Sequence, residues 1–176
     1  MTRRRVFRIS IVGEVSHRHE VEAMLSAPGS AVLVRRGVLR ALVMKCPDSC
    51  GDTLTINLDR RGGPAWRMYR NRQGVSLFPS VWRDSGCRSH FIIWRSQLFW
   101  CDYDDPELDE CDAHLEQRVF DALCPSPIHY AELADNLGET PWSVLVACRH
   151  LVRKGKVEEG AAKQNGMFRR LGIHTP

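Results

Sequence analysis

Cys46-Pro47-Asp48-Ser49-Cys50-Gly51, followed by Thr53-Leu54-Thr55-Ile56-Asn57-Leu58, is the stretch on which the fold reading turns. Proline and glycine tighten the first six residues so that two thiols face one point, as in the first knuckle of a zinc ribbon. The next run alternates polar and apolar residues, the pattern of a half-buried strand. A tight cysteine loop leading into such a strand marks a small β-rich domain.

Working outward, the β pattern continues on both sides. Val6 to Val12 reads as a first strand, and residues 16–26 read as a helix stopped by Pro28-Gly29. Ala31 to Val34 and Val38 to Met44 read as a hairpin around Arg36-Gly37. Short strands are expected near Trp66–Met68 and Val75–Phe78. Pro79-Ser80 reads as the start of a loop to Cys87, before a last hairpin formed by His90–Trp94 and Leu98–Trp100. The first domain is expected over 1–104.

Residues 102–111 hold six acids and no base, and they include Pro106, so 105–112 reads as an acidic linker. Beyond it the period changes. Leu115, Val119, Ala122 and Leu123 mark a helix, and Leu133, Ala134 and Leu137 mark a second one closed by Gly138. Val144, Cys148, Leu151 and Val152 mark a third, entered through Thr140-Pro141. Lys156-Val157 and Met167–Leu171 then form a two-stranded wing. Residues 113–176 are thus expected to be a winged helix-turn-helix domain, and the chain as a whole is expected to be α+β. Trp142 and the third helix read as a protein-binding face. Base readout needs Arg, Lys, Asn or Gln early in a recognition helix, and this helix opens Pro141-Trp142-Ser143. Lys163, Arg169 and Arg170 in the wing remain candidates for phosphate contact.

Composition narrows the class. An apolar fraction of 43% and a charged fraction of 26% are those of a globular protein. The chain has no run of 18 apolar residues and no signal-peptide core, so it reads as cytoplasmic. Residues 1–101 carry seventeen Lys and Arg against seven Asp and Glu, whereas residues 112–176 balance at eight of each. An anionic partner would therefore meet the first domain.

Seven cysteines in a reducing compartment suggest metal more than disulfides. Zinc wants four ligands in a tetrahedron. Cys46 and Cys50 supply two. Cys87 and Cys101 are the other cysteines of the first domain, and the last hairpin would bring their ends together. His90 and Asp48 are rival fourth ligands. The gaps of three and thirteen residues depart from the usual two, so unmetallated buried cysteines are the competing reading.

Ser80, Ser89 and His90 carry the second chemistry. Histidine titrates near neutrality and can take the proton of a serine hydroxyl. Ser89 and His90 are adjacent, so in a strand they face opposite ways, which favours Ser80 as nucleophile and His90 as base. A turn at Ser89 would reverse the two serines. Asp59 and Asp84 are candidate acids.

Taken together, Cys46-Pro-Asp-Ser-Cys-Gly51, Ile56-Asn-Leu-Asp59, Ala65-Trp-Arg67, Leu77-Phe-Pro-Ser-Val81 and Cys87-Arg-Ser-His-Phe91 resemble a bacterial family. It is the zinc-ribbon-like serine peptidase family of operons that encode ubiquitin-like modifiers with their activating and conjugating enzymes. The resemblance covers about residues 30–101. It implies processing or removal of a bacterial ubiquitin-like protein, with Ser80, Ser89 and His90 at the active site. It also implies structural Zn2+ on Cys46, Cys50 and Cys87, and the modifier, and its conjugating enzyme, as partners. Family loops often carry a further cysteine where Asp48 stands; this departure leaves the fourth ligand open, with Cys101 as one substitute. The alternatives are a nucleic-acid-binding regulator acting through the winged helix and a non-enzymatic adaptor with structural zinc.

Overall fold

The computed structural model describes residues 4–101, 108, 110–161 and 164–172. The chain divides into two compact units, Met1–Pro106 and Glu107–Pro176. The expected linker lies partly outside the described residues. Within it Leu108 is buried, although charge alone predicts solvation. The expected phosphate contact at Lys163 also lies outside them.

The first unit is built from two four-stranded sheets. Strands β1 (Ser10–Val15), β2 (Ser30–Arg36), β3 (Val38–Lys45) and β4 (Thr53–Asn57) lie side by side in that order. β1 runs parallel to β2, and the other pairs are antiparallel. The second sheet orders β5 (Arg67–Asn71), β6 (Gly74–Trp82), β7 (His90–Trp94) and β8 (Gln97–Trp100), all antiparallel. Alternation puts Leu33, Leu42 and Met44 of the first sheet into one core with Leu77, Phe91 and Ile93 of the second. The far face of the first sheet, Val32 and Val43, is covered by Val21 and Leu25.

Three expectations change. The first strand begins at Ser10, not Val6, because the residues before it belong elsewhere: Leu98 N–H donates to Phe7 O and Ile9 N–H to Ser96 O, so 7–9 follow β8. The expected helix at 16–26 is two 3-10 turns, Arg18–Glu20 and Glu22–Met24. This crossover must carry the chain back along a parallel strand pair. A 3-10 turn rises about 2.0 Å per residue against about 1.5 Å for an α-helix, so it covers more length with few residues. Pro79-Ser80 does not begin a loop, because β6 runs on to Trp82. Proline cannot donate to a ladder, but the β6–β7 register shifts between Leu77 and Val81, and Pro79 sits in that interruption.

The second unit contains α1 (Ala113–Ala122), β9 (Ile128–His129), α2 (Tyr130–Leu137), α3 (Pro141–Arg153), β10 (Val157–Glu159) and β11 (Met167–Arg170). The strands form one sheet in the order β10-β11-β9. Asp112 caps α1 by accepting from His114 and Leu115 N–H, and Gly138 ends α2 in the left-handed conformation at φ 67°. α3 packs on both other helices, and Val144, Ala147, Cys148 and Leu151 are buried along it. Trp142 is 5% exposed, its ring beside Tyr130. It belongs to the interior rather than to the expected protein-binding face, since so large an apolar ring at the first turn of a central helix gains most by burial. No helix among the described residues is long and apolar enough to cross a membrane.

Candidate active site

The end of β6 and the start of β7 build the site. Trp82 pairs with His90 and Val81 with Phe91. Directly paired residues share a sheet face, and residues two apart on a strand share it too. Ser80, Trp82 and His90 therefore stand on one face. His90 Nε2 lies 3.0 Å from Ser80 Oγ, a hydrogen-bond distance. The Trp66 indole N–H donates to Ser80 O over 3.2 Å and holds that backbone from the neighbouring chain segment. The Trp82 ring is tilted beside the imidazole at 6.1 Å and is 71% exposed.

Ser89 and Arg83 point the other way. Ser89 is 2% exposed, and its Oγ lies 3.3 Å from Cys87 Sγ and 3.8 Å from Cys46 Sγ. The two serines are thus separated by the strand: Ser80 meets His90, and Ser89 meets the thiols. Neither candidate acid reaches the imidazole. Asp59 is held by Arg40 and Arg61, which, Arg61 foremost, keep its carboxyl well below the ordinary range. No hydrogen bond or ion pair joins Asp84 to His90. Among the described residues, what the structure shows is a Ser80–His90 hydrogen-bonded pair with neither candidate acid joined to it.

Cys46, Cys50 and Cys87 bring three sulfurs within 4.8 Å of one another. Cys101, the expected fourth cysteine, is not in that group. Its N–H pairs with His90 O across the hairpin, and its thiol faces Phe99 O at 3.8 Å. Asp48 is also outside it, its carboxylate accepting from Arg5 Nε. The fourth side holds Ser89 and a residue the sequence reading passed over, Arg83. Its Nη1 lies 2.9 Å from Cys87 Sγ and 3.4 Å from Cys50 Sγ, while Nη2 donates to Asp52 at 2.9 Å. Arg83 follows Trp82 by one residue and lies on the opposite face, where its guanidinium meets the thiols.

The thiols differ in chemistry. Burial pushes Cys46 up to about 12. At Cys87 burial acts in the same direction, but the bonds from Ser89 and the neighbouring thiols outweigh it and bring the thiol down to about 7. Three sulfurs with a Cys46–Cys87 separation of 3.6 Å suit the edge of a tetrahedral thiolate site, and the guanidinium would offset its surplus negative charge. The three thiols could hold a metal ion, with Arg83 Nη1 standing against their remaining side.

Residues 16–101 match the family model described as bacterial ubiquitination-like system serine protease (BubE). The matched stretch contains Ser80, Ser89, His90 and all three clustered cysteines, and it supports the resemblance to the peptidases of modifier operons. Residues 102–176 fall outside the BubE match. No curated protein and no solved structure gives a significant match.

Proposed function

We propose that the first unit is a serine peptidase that cleaves a bacterial ubiquitin-like modifier from its extension or its conjugate. Ser80 is the nucleophile and His90 the base. The observation that carries this reading is the 3.0 Å contact between His90 Nε2 and Ser80 Oγ, with Ser89 turned to the thiols. In this mechanism His90 takes the hydroxyl proton as Ser80 Oγ attacks the scissile carbonyl, then gives it to the leaving amine. Water hydrolyses the resulting ester by the reverse proton path. Trp66 steadies the Ser80 backbone, and Trp82 offers an exposed ring against which the substrate chain packs.

Zinc on Cys46, Cys50 and Cys87 is structural in this reading. When bound, it ties the 46–52 loop to the residues just before β7. The second unit is a winged helix, as its helix order and terminal hairpin suggest, and it serves to dock the modifier or its conjugating enzyme. Its cations speak against nucleic acid: Arg169 pairs with Glu158, Arg149 with Glu159, and Arg170 lies over the Phe120 ring.

The test is incubation of the purified, metal-replete protein with a ubiquitin-like modifier carrying a C-terminal extension, followed by mass. Cleavage at one site is expected from wild type and from Ser89→Ala, and none from Ser80→Ala or His90→Ala. Cleavage that survives in Ser80→Ala would remove the assigned nucleophile. Binding without cleavage by wild type would leave an adaptor.

A further inference from the structure

We propose that Cys111, Glu116 and His150 form a second metal site, in the helical unit, open to solvent and suited to a borderline divalent ion such as zinc. Cys111 immediately precedes the cap of α1, Glu116 lies in the first turn of that helix, and His150 lies in the last turn of α3. Their ligand atoms lie within 4.8 Å of one another. Glu116 Oε2 is the shared apex, 3.7 Å from Cys111 Sγ and 3.2 Å from His150 Nδ1. Ligand atoms around a tetrahedral ion with bonds of about 2.0–2.3 Å sit roughly 3.3–3.6 Å apart, so these separations need little adjustment.

The donor set narrows the ion. Calcium and magnesium take oxygen ligands, whereas thiolate, imidazole and carboxylate together suit zinc and its neighbours. Binding forms a sulfur–metal bond at Cys111 as the thiol proton leaves to solvent, with no change of oxidation state. The side chains of His150 and Glu116 are 32% and 13% exposed, which leaves a fourth position for water. Lys154 donates to the other carboxylate oxygen, Oε1, and leaves Oε2 to the ion. Its ammonium is half exposed and competes with a dication for the same carboxylate charge. The bound ion would join the start of α1 to the end of α3. Nothing in this site depends on the peptidase reading or on the Cys46 cluster.

The test uses the full chain, reduced and stripped of metal. Zinc equivalents are counted by native mass spectrometry, and cobalt is titrated as a visible probe of thiolate coordination. Cys111→Ser and His150→Ala are each expected to bind one equivalent fewer than wild type. Lys154→Met should tighten one equivalent about tenfold, the effect of removing a unit charge several ångströms from a dication in a water-like medium. Equal equivalents in wild type and both ligand variants would overturn the site. Should the ligand variants lose their far-ultraviolet dichroism, Lys154→Met decides alone: affinities unchanged for every equivalent would reduce the cluster to an ion-pair lock between helices.

Discussion

At the scale of the residue, the proposed function rests on which way a side chain leaves its strand. Ser89 and His90 are neighbours in sequence and serve different chemistries because successive strand residues face opposite sides. The same holds for Trp82 and Arg83. Trp66→Phe keeps an aromatic side chain, though a smaller one, and removes the N–H that holds Ser80 O; the lost bond is worth about 1 kcal/mol, so kcat should fall about fivefold with KM little changed. Trp82→Ala should shift stability by less than about 0.5 kcal/mol, since the ring is 71% exposed, while raising KM several-fold. Thermal melts and initial rates separate the two effects. In metal-free protein the thiols should also sort by pH. Cys87, at about 7, is mostly protonated at pH 6 and mostly thiolate at pH 8, so its alkylation should accelerate across that window. Cys46 and Cys148, both pushed up to about 12 by burial, should stay unlabelled over the same range. Peptide mapping after iodoacetamide treatment reads the order directly.

At the scale of the element, the β6–β7 pair is the part that matters. A regular ladder would carry β6 past β7 without interruption, whereas the shift between Leu77 and Val81 re-aims Ser80 toward the strand end where His90 begins. The opposite face of that same strand end is gripped by the cysteine cluster through Arg83 and Ser89. If the cluster holds zinc as proposed, stripping it should lower the unfolding temperature by at least about 5 °C and reduce the proposed cleavage together with it. Arg83→Met should weaken metal retention, because surplus thiolate charge would lose its counter-ion. A chelated protein with unchanged melting and unchanged rate would show the cluster to be an inert thiol group.

At the scale of the whole molecule, charge is divided between the units. The net +10 of residues 1–101 should make recognition of an acidic partner weaken as salt rises, with KM increasing and kcat held, in a salt series at fixed pH. A fragment ending near residue 106 should retain cleavage of a free precursor, since every residue assigned to the dyad and its support lies before that point. The amino-acid sequence by itself determined the change of period from strands to helices near residue 112, the hairpins at 30–45 and 90–100, and the residue types of both sites. Those are local properties: alternation, helical spacing, and glycine or proline at turns. Alternation along the strand already favoured Ser80 over Ser89 as the partner of His90; only the tertiary structure brought the two to 3.0 Å, left Cys101 outside the thiol group and set Arg83 beside the three sulfurs. Each of these depends on a register shift or on contacts between residues 33 and 43 positions apart, which local spacing along the chain does not encode.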